Sequence, residues 1–158
     1  MSPLQRTIDA IMEDQELMHG QILGLEGFLR LPRPEPGTQD AEMWAGELTE
    51  RLHSLRALMV LRFRREEAAG PFEQLALDHP RAAGQIRHLV DEHRYLMDRL
   101  REILGSATVY AGGRTPRMRH LRRGTRGLIE ALARHEEEEC SLVQRLYARD
   151  LGQGASGE

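Results

Sequence analysis

Leu128, Leu132, His135, Glu139, Leu142 and Leu146 recur at spacings of 4, 3, 4, 3 and 4. That is the period of one buried helix face. Two of the six are ionisable. An imidazole or a carboxylate inside a core is costly unless it is hydrogen-bonded, paired or bound to a cation, so His135 and Glu139 require partners from elsewhere in the chain.

Three further stripes offer them. Ile86, Leu89, His93, Leu96, Leu100 and Ile103 form one, with His93 as its polar member. Leu48, Leu52, Leu55 and Met59 form another, and the same rhythm continues onto Arg62 and Glu66. Leu4, Ile8, Ile11, Met18, Ile22, Leu25 and Leu29 form the last, and Gln15 falls in its gap. One core histidine is ordinarily just a hydrogen-bonded residue. Interruptions on four facing stripes predict a shared buried polar site.

Glu66, His93, His135 and Glu139 are the candidate metal ligands, two imidazoles and two carboxylates of a kind that suits one iron, manganese or zinc ion. Arg62 opposes that chemistry. A guanidinium stays protonated, offers only donors and cannot ligate a metal. At about 5 Å and an effective dielectric near 20, it would repel a divalent ion by on the order of 6 kcal/mol. Placed between Glu66 and Glu139, Arg62 instead forms a charge-assisted bridge, with a protonated His93 or His135 supplying the remaining positive charge. His19, one turn beyond Gln15, and Cys140, beside Glu139, are auxiliary candidates. The thiol is expected to be inert and partly buried.

Four amphipathic helices must position these groups. The first ends at LPRPEPG, where Pro32, Pro34, Pro36 and Gly37 forbid continuation, and Thr38 or Asp40 caps the second. Gly70 and Pro71 end the second, and a short connection leads to His79 and to Pro80 at a first helical position. Gly105 is expected to close the third. Thr115 and Pro116 would open the fourth, loosened at Gly124 and Gly127 and ending near Asp150. Residues 1–150 are therefore expected to form one all-α domain, an up-down-up-down antiparallel four-helix bundle, with 151–158 a disordered tail.

Composition narrows the partners. A formal charge of -3 gives no global reason to bind nucleic acid, and all 22 basic residues are Arg. Arg119, Arg122, Arg123 and Arg126 nevertheless share a helix face that suits phosphate groups, the basis of an alternative nucleic-acid or phosphate-binding role. The single cysteine excludes an internal disulfide, and no apolar run resembles a secretion signal or a membrane span. A cytoplasmic protein without a membrane partner is expected, its partner being another protein or a second copy of the chain. No nucleophile triad or Gly-rich phosphate loop suggests an enzyme.

The same residues resemble the hemerythrin-like, or HHE, cation-binding domain family over about residues 4 to 149. That family holds two irons in a four-helix bundle through a His on the first helix, His-x-x-x-Glu on the second, a Glu-His pair on the third and His-x-x-x-Glu on the fourth. Here His135 to Glu139 and Glu92-His93 match, and Glu66-Glu67 match the acidic end on the second helix. Gln15 and Arg62 stand at the other two His positions, and Cys140 stands where a second acidic residue often follows. The resemblance implies the bundle and non-heme iron. The two lost histidines imply a metal-poor or metal-free descendant with a regulatory or sensing role. The alternative is a mononuclear site for oxygen, nitric oxide or metal sensing.

Overall fold

The apolar stripes fold as four long helices in a computed structural model that describes residues 3–67, 71–111 and 118–155. They are α1 (Pro3–Arg30), α2 (Gln39–Glu67), α4 (Ala83–Ala111) and α5 (Met118–Ala155), joined by a short α3 (Pro71–Asp78) and a 3-10 turn at Pro80–Ala82. Among the described residues there is no strand. No helix among them is long and apolar enough to cross a membrane.

Local chemistry accounts for most of the boundaries. The proline run after Arg30 ends at Gly37, whose φ of 80° lies in the left-handed region that a side chain disfavours. Thr38 then caps α2: its Oγ1 accepts the Ala41 N–H at 3.2 Å and donates to the Glu35 carbonyl at 2.6 Å. Pro80 opens the 3-10 turn, as its missing N–H suits. The expected cap at Thr115 and Pro116 lies outside the described residues.

Three boundaries differ from the sequence reading. PFEQLALD is a helix and not a connection, because Phe72 and Leu75 are fully buried in the core. Gly105 does not close its helix. α4 continues to Ala111, burying Ala107, and that packing outweighs a glycine penalty of about 1 kcal/mol. α5 likewise passes Asp150 and runs to Ala155, and it is continuous through Gly124 and Gly127.

α2 packs against α4, α4 against α5, α5 against α1 and α1 against α2, so the four long helices close a ring. α3 lies against α1, α2 and α4. The interior divides in two. One apolar cluster runs from Met18, Leu48 and Leu52 to Leu100, Leu128 and Leu132. The other joins Ile11, Phe72, Leu75, Ile86, Leu89, Leu142 and Leu146. Each buried Leu, Ile or Phe contributes roughly 1.5–3 kcal/mol. Between the clusters lie Arg62, Glu66, His93, His135 and Glu139, all fully buried. The five are the polar members of the α2, α4 and α5 stripes.

Thr38→Ala is expected to lower stability by about 1 kcal/mol in urea denaturation, with the slope of the transition unchanged.

Candidate functional site

Arg62 stands at the centre of the polar layer. Its Nε donates to Glu66 Oε1 at 3.0 Å, one turn along α2. Nη1 reaches Glu136 Oε2 at 2.5 Å and Nη2 reaches Glu139 Oε1 at 3.1 Å, both on α5. The side chains of Arg62 and Glu139 are wholly excluded from solvent. One planar cation thus pairs with three carboxylates, and the two on α5 tie that helix to α2. Gln15 completes the ring from α1. It is half-buried, and its Nε2 donates to the Glu136 carbonyl at 3.4 Å.

The histidines sit on the opposite side of the carboxylates. His93 on α4 faces Glu66 Oε2 through Nε2 at 3.2 Å and Glu67 Oε1 through Nδ1 at 2.8 Å. A carboxylate can only accept, so the Glu67 contact places the His93 proton on Nδ1. Its ring stacks on Phe63, with centroids 3.8 Å apart and planes 7° from parallel. His135 on α5 meets His93 edge-on at 5.0 Å. Its Nε2 lies 3.6 Å from Glu139 Oε2 and its Nδ1 lies 3.7 Å from Glu92 Oε1, too far for hydrogen bonds.

Protonation follows from burial. Desolvation pushes His135 down to about 3, with His93 and Arg62 adding repulsion, and it lowers His93 against the pull of Glu67. Both imidazoles are therefore neutral at pH 7. A protonated histidine does not balance the site, contrary to the expectation from sequence. Burial instead raises Glu66, pushes Glu136 up to about 7 despite Arg62, and lifts Glu139 well above the ordinary range, where Glu66 adds to the effect. Arg62 is itself raised. Burial alone would lower it, but Glu139, Glu136 and Glu66 outweigh that cost. Burial first, with repulsion among the acids second, moves all three carboxyls toward their protonated forms.

The candidate ligands Glu66, His93, His135 and Glu139 thus lie together, but a guanidinium is ion-paired with both carboxylates. The residues present do not fit a divalent ion between Glu66 and Glu139 while Arg62 is there. Gln15 and Arg62 both face the layer. His19 is exposed and lines a cleft between α1 and α5. Cys140 is a half-buried free thiol. On the basic face, Arg122 turns inward and donates to the Leu29 carbonyl at 2.5 Å, closing the end of α1. Arg119, Arg123 and Arg126 remain exposed.

Sequence reasoning missed Glu136 as a partner of Arg62. The HEEEE run at 135–139 contains four consecutive acids, and a single-face count selects only the one at the end. The stacking partner Phe63 was also missed, although it directly follows Arg62.

No protein-family model, no curated protein and no solved structure matches this chain. Function must therefore be read from the site itself.

Arg62→Ala is expected to destabilise the protein by about 3 kcal/mol or more, since it strands buried carboxylates. Thermal and urea melts check this, and a near-neutral value would mean that the acids have another cation.

A second outcome concerns pH. A carboxyl raised in the folded state binds more protons folded than unfolded, so its contribution is full below about 4.5 and is lost as pH rises through the folded value. A lowered histidine contributes fully above 6.5 and loses that contribution as pH falls. The two slopes oppose each other below 6.5, and only the carboxyl slope remains above it. The melting temperature should therefore fall as pH rises above 6.5 and through about 7, where Glu136 ionises. Glu139→Gln, which cannot ionise, should flatten that decline.

Proposed function

We propose that the chain is a hemerythrin-like, up-down-up-down four-helix bundle in which Arg62 serves as a built-in cation, and that it acts as a non-catalytic regulatory or sensing module. The topology is supported by cross-helix pairs that run in opposite order along neighbouring helices. Asp14 meets Arg65 and Gly24 meets Arg51 between α1 and α2, and Gln15 meets Glu136 and Leu29 meets Arg122 between α1 and α5. Gln85 meets Arg145 and Gly127 approaches Arg99 between α4 and α5. The single observation that carries the reading is Arg62 bonded to Glu66, Glu136 and Glu139.

A fixed cation replaces an exchangeable one. The site therefore lacks the open coordination position that oxygen or redox chemistry would use. Supporting a sensing role, a cleft of about 450 Å³ between α1 and α5, lined by Met12, His19, Ile22 and Leu23, has Gln15 and Glu136 in its wall. Whatever occupies it touches one of the three acids that hold Arg62.

The mononuclear reading keeps one observation in its favour: His135, Glu136 and Glu139 offer ligand atoms within 4.8 Å of one another. It requires Arg62 to leave. Gln15→His with Arg62→His tests both readings, because it removes the guanidinium and adds two neutral nitrogens beside Glu66, His93, His135 and Glu139. The double variant should take up iron from anaerobic ferrous solution and, on oxidation, develop the near-ultraviolet absorption of an oxo-bridged pair, while the parent does neither. Arg62→His alone should recover part of the uptake and Gln15→His alone little. Two irons in the parent, or a folded double variant without iron, would overturn the proposal. One iron held in the parent's core would favour the mononuclear reading.

A further inference from the structure

Outside the Arg62 cluster, α4 and α5 bring a second set of donor groups together at the surface. His88 Nε2 lies 3.2 Å from Glu92 Oε1, one turn along α4, and 4.0 Å from Glu138 Oε2 on α5. One ligand atom from each of the three lies within 4.8 Å of the others. His88 and Glu138 are exposed, so an ion has direct access, and Glu92 is half-buried behind them.

The carboxylates of Glu92 and Glu138 face each other. That proximity, after burial, keeps Glu92 above its ordinary range, with His88 only partly offsetting it. Two acids and an imidazole converging from two helices gain most from a divalent cation.

An independent feature points into the same place. His135 is fully buried, its Nδ1 has no hydrogen bond, and that atom is aimed at Glu92 Oε1 from 3.7 Å. Glu92 Oε1 is likewise buried without a hydrogen bond. A buried nitrogen without a hydrogen bond is costly, and Glu92 Oε1 lies between that nitrogen at 3.7 Å and the His88 ring at 3.2 Å.

We propose that His88, Glu92 and Glu138 form a zinc-type divalent-cation site at the α4–α5 surface, with the buried His135 Nδ1 directly behind Glu92. Zinc bonds of about 2.0–2.1 Å to nitrogen and oxygen, arranged tetrahedrally, put neighbouring ligand atoms about 3.3 Å apart. The separations of 3.2 and 4.0 Å from His88 Nε2 to the Glu92 and Glu138 oxygens bracket that figure. Softer thiolate selection does not operate here, and a mixed imidazole and carboxylate set suits zinc or manganese over magnesium. The site lies on the side of His135 turned away from Glu139, so it coexists with Arg62 in the core. Its absence would leave the role of Arg62 untouched.

The test is a zinc titration of tag-free, chelator-stripped protein against a chromophoric competitor, with thermal melts alongside. The parent should bind about one zinc per chain and melt higher with the metal present. His88→Ala and Glu138→Gln, both at exposed positions, should leave the metal-free melting temperature nearly unchanged. Each should weaken zinc binding at least about tenfold and reduce the zinc-dependent rise. No zinc binding in the micromolar range would overturn the proposal. So would undiminished binding in folded His88→Ala, which would place the ion elsewhere.

Discussion

Two buried carboxylates and a third at the edge of a cleft share one guanidinium, and the packing of this protein is arranged around keeping that group charged and dry. Removing Arg62 from water is expensive, and its ion pairs with Glu66, Glu136 and Glu139 offset that cost. Glu66 lies on its own helix at the i+4 spacing, so that bond forms with α2 alone. Glu136 and Glu139 come from α5, and they exist as partners only once the ring of helices has closed. Arg62 therefore acts as a register pin between α2 and α5. An apolar residue of similar volume would pack without specifying which turn of α5 it meets.

The neutral histidines follow from the same constraint. With a fixed positive charge already present, a second one on His93 or His135 would be repelled as well as desolvated. The imidazoles behave instead as flat polar walls. His93 stacks on Phe63 and hydrogen-bonds outward to Glu67, which leaves its Nε2 lone pair toward the acids. The raised carboxyls make protons on the acids the means by which the charge of the layer adjusts.

Much of this was legible in the residues. The four stripes were visible because burial imposes a 3.6-residue period on sequence, and the polar interruptions stood out against it. The bridge from Arg62 to Glu66 and Glu139 followed from charge and spacing alone. The proton balance was not visible, since it depends on how completely water is excluded. The helix at Pro71–Asp78 was hidden because eight residues are too few for a period to declare itself. Its register is set by Phe72 and Leu75 filling space beside the end of α2. Gly105 misled because a local penalty was weighed without the tertiary packing of Ala107 that exceeds it.

The polar layer also divides the interior into two unequal apolar compartments. The larger one is spanned by all four long helices. The smaller contains residues of α1, α4 and α5 and is covered by Phe72 and Leu75 of the short α3, where α2 has already ended. Apolar contact is what makes neighbouring segments unfold together, and a plate of charged groups interrupts it. A polar seam thus crosses the width of the molecule, with Arg62 and its acids at the boundary between the two apolar compartments.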